Sequence, residues 1–484
     1  MSSTTLATKT FESEDQDFFA RLSGDYNPMH MDPLAARRTQ AGAVVVHGVH
    51  AVLWALDRLV ESGAAGGGIA GLKVQFTKFI YVGSPVHLRA VRRDDKSIRA
   101  ELAVGELTVT LLSLTLGSAR NTGGIRPANT RTIIATDRPV ILVHLQEMKD
   151  LCGWIDAAGP LESIEDRFGH AASAIGARRV AAIALLSRLV GMVCPGLHSI
   201  FASFAIEFLD SPEDEGGIQF DVSGTDERFR MVRMNVSGSG IRGSVQAFLR
   251  WPPVAQASLG EVAKLVGPTE FTGSTALIIG GSRGLGALTA KVVASGGGKV
   301  IVTYATGRKE AEAVADEIRR QLTEDACRVV PYDARQPPDN QLQKLGVDIS
   351  HLYYFATTPI SRQKESLFSA VLLEEFIQLY VNGFYDCHRF LRSRAAGDFT
   401  AFYPSSVFVE NGPPAMTEYS MAKAAGELLC NSLNHSDPQA RVIVRRLPRL
   451  LTDQTATVPP TDSGDALEVM LPIIREVQAS GAHR

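Results

Sequence analysis

Apolar and polar residues alternate along this chain with two different periods, which divide it into two parts. In the first part, runs of period two follow apolar stretches, for example GLKVQFTKF (71–79) and SIFASFAIEF (199–208). Beyond residue 270, short apolar runs such as TALII (275–279) and KVIVTY (299–304) alternate with longer stretches that carry helix signals. Period two is typical of antiparallel strands that bury one face, whereas apolar strands alternating with helices predict a parallel, doubly wound sheet. We therefore expect an α+β region followed by an α/β region.

The first part contains its pattern twice. DRLV (57–60) precedes one period-two run, and SRLV (187–190) precedes the other, so the copies are offset by 130 residues (187 − 57). Each copy predicts one buried helix wrapped by an antiparallel sheet. Chance similarity between two unrelated α+β pieces is the alternative. A polar stretch, SARNTGGIRPANTRT (118–132), ends the first copy. We expect three domains, which cover residues 1–125, 126–258 and 270–484.

Composition and charge exclude several classes of protein. The chain has 484 residues, of which 45% are hydrophobic and 21% charged, and its formal net charge is −3. It has no basic block, which argues against nucleic acid or a membrane as its partner. The N-terminus lacks the basic start and apolar run of a signal peptide, so we expect a cytoplasmic location. The five cysteines are scattered without a CxxC pair, so we expect reduced thiols and no metal site.

Eight residues near the N-terminus, SGDYNPMH (23–30), combine several chemically active side chains. Asp25, Asn27 and His30 lie within six residues, and Pro28 prevents a regular helix from running through them. A shaped turn can direct a carboxylate and an imidazole at one point. Such a pair can take a proton from water and deliver one to carbon, as addition of water to a double bond requires. The alternative is an Asx-turn with a solvated histidine.

The residues around this segment are more specific than its composition. FARLSGDYNPMHMDPLAARRT (19–39) and VVVHGVH (44–50) resemble the MaoC-like, (R)-specific enoyl-thioester hydratase/dehydratase family. That family has the hotdog fold, in which an antiparallel sheet wraps one helix. The resemblance covers residues 11–118 and, together with the second copy of the pattern, implies that the first part of the chain is a double hotdog.

The resemblance also implies roles for particular residues. Asp25 and His30 match the catalytic aspartate and histidine of the family, and Asn27 would orient the site. Backbone N–H groups near His47–Gly48, at the start of the central helix, would polarise the thioester carbonyl. The N-terminus of a helix suits that role because it carries free N–H groups and the positive end of the helix dipole.

The second copy lacks a D-x-N-P-x-H segment. Its matching stretch is LESIEDRFGHAASAIGARR (161–179), in which Asp166 and His170 are four residues apart, as on a solvated helix face. We therefore expect a second hotdog without catalytic residues that shapes the acyl pocket.

The turn after the apolar run at 275–279 is rich in glycine. GGSRGLG (280–286) lies between a predicted strand and a predicted helix, where glycines let the backbone approach a pyrophosphate. The spacing resembles that of the short-chain dehydrogenase/reductase family, which has a Rossmann-type fold. The resemblance implies a nicotinamide cofactor, and the residues expected to bind it in this turn are Gly280, Ser282, Arg283, Gly284, Leu285 and Gly286.

A second signature of the same family lies near the C-terminus. YSMAKAAGELL places Tyr419 and Lys423 on one helix face. Ser406 stands thirteen residues before the tyrosine, with Ser405 as the second choice, and Asn382 in YVNGFYDC matches the family's helical asparagine. By this resemblance, Tyr419 exchanges a proton with the substrate oxygen, which Ser406 holds. Lys423 would bind the ribose and lower the pKa of the tyrosine, and Asn382 would support a water-linked proton path. The alternative for the tyrosine and lysine is a solvated helix face.

The second predicted strand of the α/β region indicates the cofactor preference. Sites that prefer NAD place an acid at its end, whereas this chain has Thr303 and Tyr304 there. Arg283 and Arg308 are available for a 2′-phosphate, so we expect NADP(H), with NAD as the alternative. Asp333 matches the family residue that contacts the adenine.

The two sites share a substrate and predict a bifunctional enzyme of fatty-acid-like or polyketide-like metabolism. The C-terminal domain would reduce a 3-oxoacyl thioester with NADPH. The N-terminal domain would dehydrate the (3R)-hydroxy product or hydrate the enoyl form. The carrier would be coenzyme A or an acyl carrier protein, and we expect a homo-oligomer because reductases of this family usually self-associate.

Departures from the reductase family keep two alternatives open. FATTPI (355–360) replaces the family's N-N-A-G, and Pro448-Arg449 replaces its P-G turn. One alternative is a hydratase whose reductase-like domain binds NADP(H) as a sensor or scaffold without catalysis. The other is a hotdog thioesterase.

Overall fold

The computed structural model describes residues 4–64, 68–121, 145–210, 216–360, 368–413, 416–458 and 461–479. They belong to two units, Met1–Pro252 with Thr457–Thr461 and Pro253–Ala456 with Asp462–Arg484. The predicted boundary between residues 125 and 126, with most of the polar stretch around it, lies outside the described residues. The three predicted domain ranges stay a prediction.

The first half of the N-terminal unit combines four helices with one side of an antiparallel sheet. Its helices are α1 (Ser13–Ser23), α2 (Pro28–Met31), α3 (Pro33–Ala36) and α4 (Gly48–Glu61). Its strands are β1 (Thr4–Thr10), β2 (Ile69–Phe76), β3 (Pro85–Arg93), β4 (Ser97–Val104), β5 (Leu107–Leu116) and β6 (Arg120–Asn121).

The second half repeats this plan. Its helices are α5 (Leu161–Arg167), α6 (Gly169–Ile175) and α7 (Ala177–Arg188), and α7 continues as a π-helical segment, Leu189–Val193. Its strands are β7 (Cys152–Asp156), β8 (Ser199–Asp210), β9 (Gly217–Asp226), β10 (Met231–Gly238) and β11 (Ile241–Leu249).

The two halves share one sheet. Its strand order is β1-β3-β4-β5-β2-β8-β11-β10-β9-β7, with β6 beside β8. The halves join where β2 and β8 pair antiparallel, with Leu72 opposite Ile206 and Val74 opposite Phe204. All four of these side chains are buried, so period-two burial directs one face of the sheet onto the central helices α4 and α7. This is the hotdog arrangement predicted from the repeated helix-and-meander pattern.

The C-terminal unit is built on a parallel sheet. Its strands are β12 (Thr275–Ile279), β13 (Lys299–Tyr304), β14 (Cys327–Pro331), β15 (His351–Tyr354), β16 (Phe399–Ser406) and β17 (Ala440–Leu447). Its helices are α8 (Leu259–Val262), α9 (Gly284–Ser295), α10 (Arg308–Gln321), α11 (Asp339–Leu342), α12 (Ala370–Ile377), α13 (Gly383–Arg392), α14 (Phe408–Asn411), α15 (Thr417–Ser436) and α16 (Ala466–Ala479). A 3₁₀ turn covers Glu324–Ala326, and a π-helical segment, Gln378–Asn382, joins α12 to α13.

The strand order of this sheet, β14-β13-β12-β15-β16-β17, is that of the Rossmann fold, and every pairing is parallel. The order reverses between β12 and β15, which leaves a crevice at the carboxyl ends of the strands, where such folds bind ligands. The doubly wound sheet expected from the sequence is therefore confirmed.

Two global properties bear on the predicted environment. In the described part of the chain, no helix combines the length and the apolar character needed to cross a membrane. All five cysteine thiols are free, and four of them are buried.

Candidate active sites

The segment SGDYNPMH forms the turn that links α1 to α2. Gly24 ends α1 with a left-handed backbone (φ 75°), and Pro28 begins α2, where its missing N–H has no cost. The Asn27 side chain caps α2 by accepting a hydrogen bond from the Met29 N–H at 3.0 Å. The residues that shape this turn thereby fix the position of Asp25.

Asp25 is buried and is held by hydrogen bonds from both halves of the unit. Its Oδ1 accepts from the Asn27 N–H at 3.1 Å, and its Oδ2 accepts from the Ser187 hydroxyl on α7 at 2.6 Å. The Asn27 amide in turn donates to the Gly191 carbonyl at 2.8 Å. Burial raises the pKa of Asp25, although His30 and the bonds from Ser187 and Asn27 oppose this effect. The carboxyl therefore keeps its proton more readily than a free aspartate does.

His30 lies on α2 with its proton position fixed. Its Nδ1 is 2.8 Å from the Val45 carbonyl oxygen. A carbonyl oxygen only accepts, so Nδ1 carries the hydrogen and Nε2 keeps a lone pair that can take a proton. The ring stacks on His47 with centroids 4.1 Å apart. Side-chain donor atoms of Asp25, His30 and His47 all lie within 4.8 Å of one another, so the structure brings the carboxyl and the imidazole together.

The sequence assigned a role only to the backbone at His47, but its side chain belongs to the site. The buried imidazole donates from Nε2 to the Asp25 carbonyl at 3.0 Å, and its Nδ1 lies 3.2 Å from Gln16 Oε1. Burial and the neighbouring His30 hold the pKa of His47 well below its ordinary value, so the ring is neutral. His47 positions the backbone that carries Asp25. Carbonyl oxygens engage Nε2 of His47 and Nδ1 of His30. That no metal binds here stays a prediction.

One cavity is lined by Asp25 and His30 together with polar and apolar residues from both halves of the unit. Its lining is Asp25, Asn27, Met29, His30, Val45, Val46, Gly48, Phe76, Lys78, Phe79, Ile80, Thr110, Ser187, Val190, Gly191, Ser199, Ile200 and Phe201. Gly48 is the first residue of α4, and the residue before it supplies no side-chain cap to that helix. The first N–H groups of a helix have no partner within the helix, so this end of α4 can receive a ligand oxygen.

The second half contributes to the cavity but offers no acid–base segment of its own among its described residues. Asp166 and His170 are exposed, and His170 lies 3.5 Å from Glu61 on α4. Gly191 lies in the π-helical segment after α7, where a Cβ would come within 2.3 Å of Asp25 Oδ1. Only glycine fits there without displacing the carboxyl. Segments of π-helix often occur at functional sites, and this one carries a glycine that packs against the Asp25 carboxyl.

The glycine-rich turn of the C-terminal unit connects β12 to α9. Gly280 has φ 77°, and a Cβ there would meet the backbone after β15 at 2.9 Å. Gly286 lies so close to the carbonyl of Gly280 that a Cβ would be 2.3 Å from it. Gly284 has φ 56° and open space where its Cβ would be, at the first turn of α9. Ser282 is buried within the turn and Leu285 is half-buried at the helix start. This cradle fits a pyrophosphate at a helix N-terminus.

The charged residues predicted to contact the cofactor have partners of their own. Arg283 forms an ion pair of 2.9 Å with Asp453, whose side chain is almost fully buried. Asp333 accepts two hydrogen bonds of 2.9 Å from Arg335, which lower its pKa. The Arg308 side chain is 75% exposed and lies 4.0 Å from a glutamate one turn along α10. Of the two arginines, Arg308 is therefore the more accessible to a ligand.

Ser406, Tyr419 and Lys423 meet at the carboxyl end of β16. The Tyr419 hydroxyl is hydrogen-bonded to Ser406, whereas Ser405 donates to a glutamate of α15 at 2.5 Å. Lys423 is buried and donates to the Pro404 carbonyl at 2.7 Å. Burial raises the pKa of Tyr419 to about 12 and lowers the pKa of Lys423 to about 7. Burial therefore acts against the expected lowering of the tyrosine pKa, and the hydrogen bond to Ser406 opposes burial only in part.

Sequence reasoning missed Tyr380, which belongs to this cluster. Its ring lies 4.1 Å from the Lys423 ammonium and 5.5 Å from the Tyr419 ring, and its hydroxyl is 2.7 Å from Thr357 Oγ1. The side chain of Asn382 is exposed and donates to a glutamine one turn earlier at 2.9 Å. Tyr380 and Asn382 both lie in the π-helical segment before α13. Its wider turn changes the spacing of side chains relative to an α-helix and brings Tyr380 to the cluster, while the role predicted for Asn382 stays a prediction.

Comparison with known proteins matches part of each unit to a family model. The model of the MaoC like domain matches residues 2–113, and the short chain dehydrogenase model matches residues 274–457. A curated relative is the mitochondrial 3-hydroxyacyl-[acyl-carrier-protein] dehydratase of Arabidopsis thaliana, which is 30% identical over 79 residues. That match covers 16% of this chain and 47% of the relative, so the chain spans about half the length of the relative it matches.

Solved structures with similarity to the chain include two reductases and an oxidoreductase. FolM alternative dihydrofolate reductase 1 from Brucella canis, complexed with NADP, is 17% identical, with a TM-score of 0.39 over 44% of this chain and 91% of that one. The oxidoreductase yciK from E. coli is 16% identical, with the same TM-score and coverage. A dehydrogenase/reductase from Sinorhizobium meliloti is 22% identical, with a TM-score of 0.38 over 45% of this chain and 91% of that one.

The family matches and the folds of the two units lead to the same result. The chain carries a MaoC-like dehydratase domain in its N-terminal part and a short-chain dehydrogenase domain in its C-terminal part.

Proposed function

We propose that the N-terminal unit interconverts 2-enoyl and (3R)-3-hydroxyacyl thioesters by adding or removing water. One observation carries this proposal: a buried carboxyl with a raised pKa and an imidazole with a free Nε2 line one cavity beside an uncapped helix N-terminus. An acid and a base on the same side of a double bond are what hydration needs.

In the hydration direction, each group has one task. His30 Nε2 takes a proton from water as the water oxygen bonds to C3, and the electron pair of the double bond moves toward the thioester oxygen. The N–H groups at the start of α4 stabilise that oxygen, and Asp25 delivers its proton to C2. A proton then passes from His30 to Asp25, which restores both groups. Dehydration follows the same steps in reverse.

Hydration of crotonyl-CoA, followed by loss of enoyl absorbance, tests this proposal. We expect Asp25→Asn and His30→Gln to lower kcat by at least about 100-fold, because each removes a proton-transfer group. His170→Gln, on the exposed surface of the same unit, is the matched control and should retain the wild-type rate. Unchanged rates in both site variants would contradict the proposal. Release of free thiol from acyl-CoA instead of hydration would indicate a thioesterase.

For the C-terminal unit, the proposal is reduction of a 3-oxoacyl thioester with NADPH. When bound, the cofactor supplies the hydride that is added to C3. The glycine turn would hold its pyrophosphate, and Ser406 would hold the substrate oxygen by hydrogen bonding. The raised pKa of Tyr419 keeps its hydroxyl protonated at neutral pH, which suits a group that donates a proton to the oxygen during reduction.

A preference for NADPH over NADH is supported by the end of β13. Thr303 and Tyr304 stand there instead of an acid, and Arg308 is exposed just beyond. Titration of wild type and Arg308→Ala with both cofactors tests this. We expect tighter binding of NADPH, and we expect the variant to lose that advantage. An equal affinity of wild type for both cofactors would contradict the preference.

The burial of Lys423 favours a second candidate for this unit. Its ammonium already donates to a backbone carbonyl and lies between tyrosine rings. A lysine held in this way is less available to a ribose, so the unit would bind NADP(H) without turning it over. Oxidation of NADPH by acetoacetyl-CoA in wild type, abolished in Tyr419→Phe, supports the reductase. NADPH binding without oxidation supports the second candidate.

The two proposed reactions share the 3-hydroxyacyl thioester. The curated relative is named for an acyl-carrier-protein substrate, and the cavity residues do not distinguish that carrier from coenzyme A. Assays of the same acyl group on coenzyme A and on an acyl carrier protein identify the natural carrier, which should give a substantially higher kcat/KM.

A further inference from the structure

One side chain in the dehydratase cavity has no task in the mechanism above. Thr110, on β5, is fully buried, and within the described residues its hydroxyl has no hydrogen-bond partner. It faces the interior with Leu112 and Leu114, and it lines the cavity that contains Asp25 and His30. An unpaired buried hydroxyl destabilises the folded protein, and valine would fill the same volume without that cost. A substrate oxygen would satisfy the hydroxyl.

The pairing of the sheet places Thr110 near the start of α4. Thr110 is directly opposite Phe76 in the antiparallel pair of β5 and β2, so both side chains face the same side of the sheet. The Phe76 ring packs against Gly48, where a Cβ would be 2.7 Å from Cε1. Thr110 therefore neighbours the helix end at which the thioester carbonyl would be received.

We propose that the Thr110 hydroxyl donates a hydrogen bond to the thioester carbonyl oxygen of the substrate. This inference rests on the proposed hydratase activity and adds a side-chain donor to the N–H groups of α4. The oxygen gains negative charge when water adds to C3, so the hydrogen bond is strongest in the transition state. A donor of this kind acts mainly on kcat.

Two substitutions separate this role from a structural one. Thr110→Val keeps the shape and removes the hydroxyl, whereas Thr110→Ser keeps the hydroxyl. With crotonyl-CoA, we expect Thr110→Val to lower kcat by at least about tenfold, with KM within about threefold of wild type, and Thr110→Ser to stay within about threefold in both. The Tm of Thr110→Val should equal or exceed that of wild type, because the variant no longer buries an unpaired hydroxyl.

The outcomes are distinct from those that test the hydratase itself. A wild-type rate in folded Thr110→Val, or an effect on KM alone, would overturn the role of Thr110 while leaving the hydratase proposal intact. Absence of hydration by the wild type would overturn both. If Thr110→Val does not fold, Thr110→Ala, which also removes the hydroxyl, replaces it, and an undiminished kcat there would also overturn the proposal.

Discussion

The hydroxyl of Ser187 donates a hydrogen bond of 2.6 Å to the carboxyl of Asp25, which lies 162 residues earlier in the chain. Asp25 belongs to the first hotdog half and Ser187 to the central helix of the second. The half without a D-x-N-P-x-H segment therefore still helps to build the site. Its contribution is to fix the acid and to form one wall of the cavity.

Substitution of Ser187 tests this contribution. The bond from Ser187 lowers the pKa of Asp25, in opposition to burial, so Ser187→Ala should raise that pKa further. If Asp25 acts as the acid in hydration, activity falls as pH rises through its pKa, and the alkaline limb of kcat should move to higher pH. We also expect kcat at neutral pH to fall about tenfold because the carboxyl loses a fixed orientation. Ser223→Ala, on an exposed strand of the same unit, should change neither quantity; an unshifted limb in Ser187→Ala would count against the acid role.

A matched pair of glycine variants tests the packing around the acid. In Gly191→Ala the new methyl group would overlap Asp25 Oδ1, so the carboxyl must move, and we expect a loss of hydration of about 100-fold. Gly169 has open space around its Cβ position, so Gly169→Ala should be silent. Reduction by the C-terminal unit serves as the internal reference for both. Full hydratase activity in Gly191→Ala would show that the geometry around Asp25 is not critical.

The buried His50 makes the N-terminal unit sensitive to acid. Its ring stacks on Phe19 with centroids 4.8 Å apart, both nitrogens lack partners among the described residues, and burial lowers its pKa to about 3. In the unfolded chain, His50 takes up a proton near pH 6.5, whereas in the folded unit it stays neutral down to about pH 3. Above pH 6.5, His50 is neutral in both states and does not lower the free energy of unfolding. Below it, that free energy declines by about 1.4 kcal/mol per pH unit as pH falls toward 3.

His50→Leu should remove this dependence. We expect the loss of Tm between pH 8 and pH 5 to be smaller in His50→Leu than in wild type, as measured by thermal melts. His170→Leu, which changes an exposed histidine of the same unit, should keep the wild-type slope. Equal slopes in wild type and His50→Leu would rule out His50 as the source of acid sensitivity.

The cluster around Lys423 predicts that substitutions of Tyr380 and Asn382, two residues apart, differ in their effect on the rate of reduction. Tyr380→Ala removes the ring that packs on both Lys423 and Tyr419, so we expect reduction of acetoacetyl-CoA to fall at least about tenfold. Asn382→Ala changes an exposed side chain and should leave the rate within about threefold. The reverse result would return the site role to the Asn382 side chain.

The sequence was sufficient to predict features that depend on residues close together in the chain. Strands β12 and β13 agree residue for residue with the predicted runs at 275–279 and 299–304, because each is apolar and bounded by polar or glycine residues. Asp25, Asn27 and His30 were found because six residues of one turn contain all three.

Other parts of the sites depend on contacts between distant segments. Ser187 and Gly191 reach Asp25 only because β2 pairs with β8, and no local pattern marks them. Arg283 was expected to bind a phosphate. In the structure it also pairs with Asp453, which lies 170 residues later in the sequence. Tyr380 was missed for another reason, since it lies in a π-helical segment whose wider turn no local sequence pattern marks.

The central claim is that one chain reduces a 3-oxoacyl thioester and then dehydrates the product. The most direct measurement is incubation of acetoacetyl-CoA with NADPH and the full-length protein, followed by chromatographic identification of the products. We predict that wild type forms (3R)-3-hydroxybutyryl-CoA and crotonyl-CoA, that Asp25→Asn stops at the hydroxy compound, and that Tyr419→Phe forms neither. Failure of wild type to consume NADPH, or formation of crotonyl-CoA by Asp25→Asn at the wild-type rate, would contradict the account.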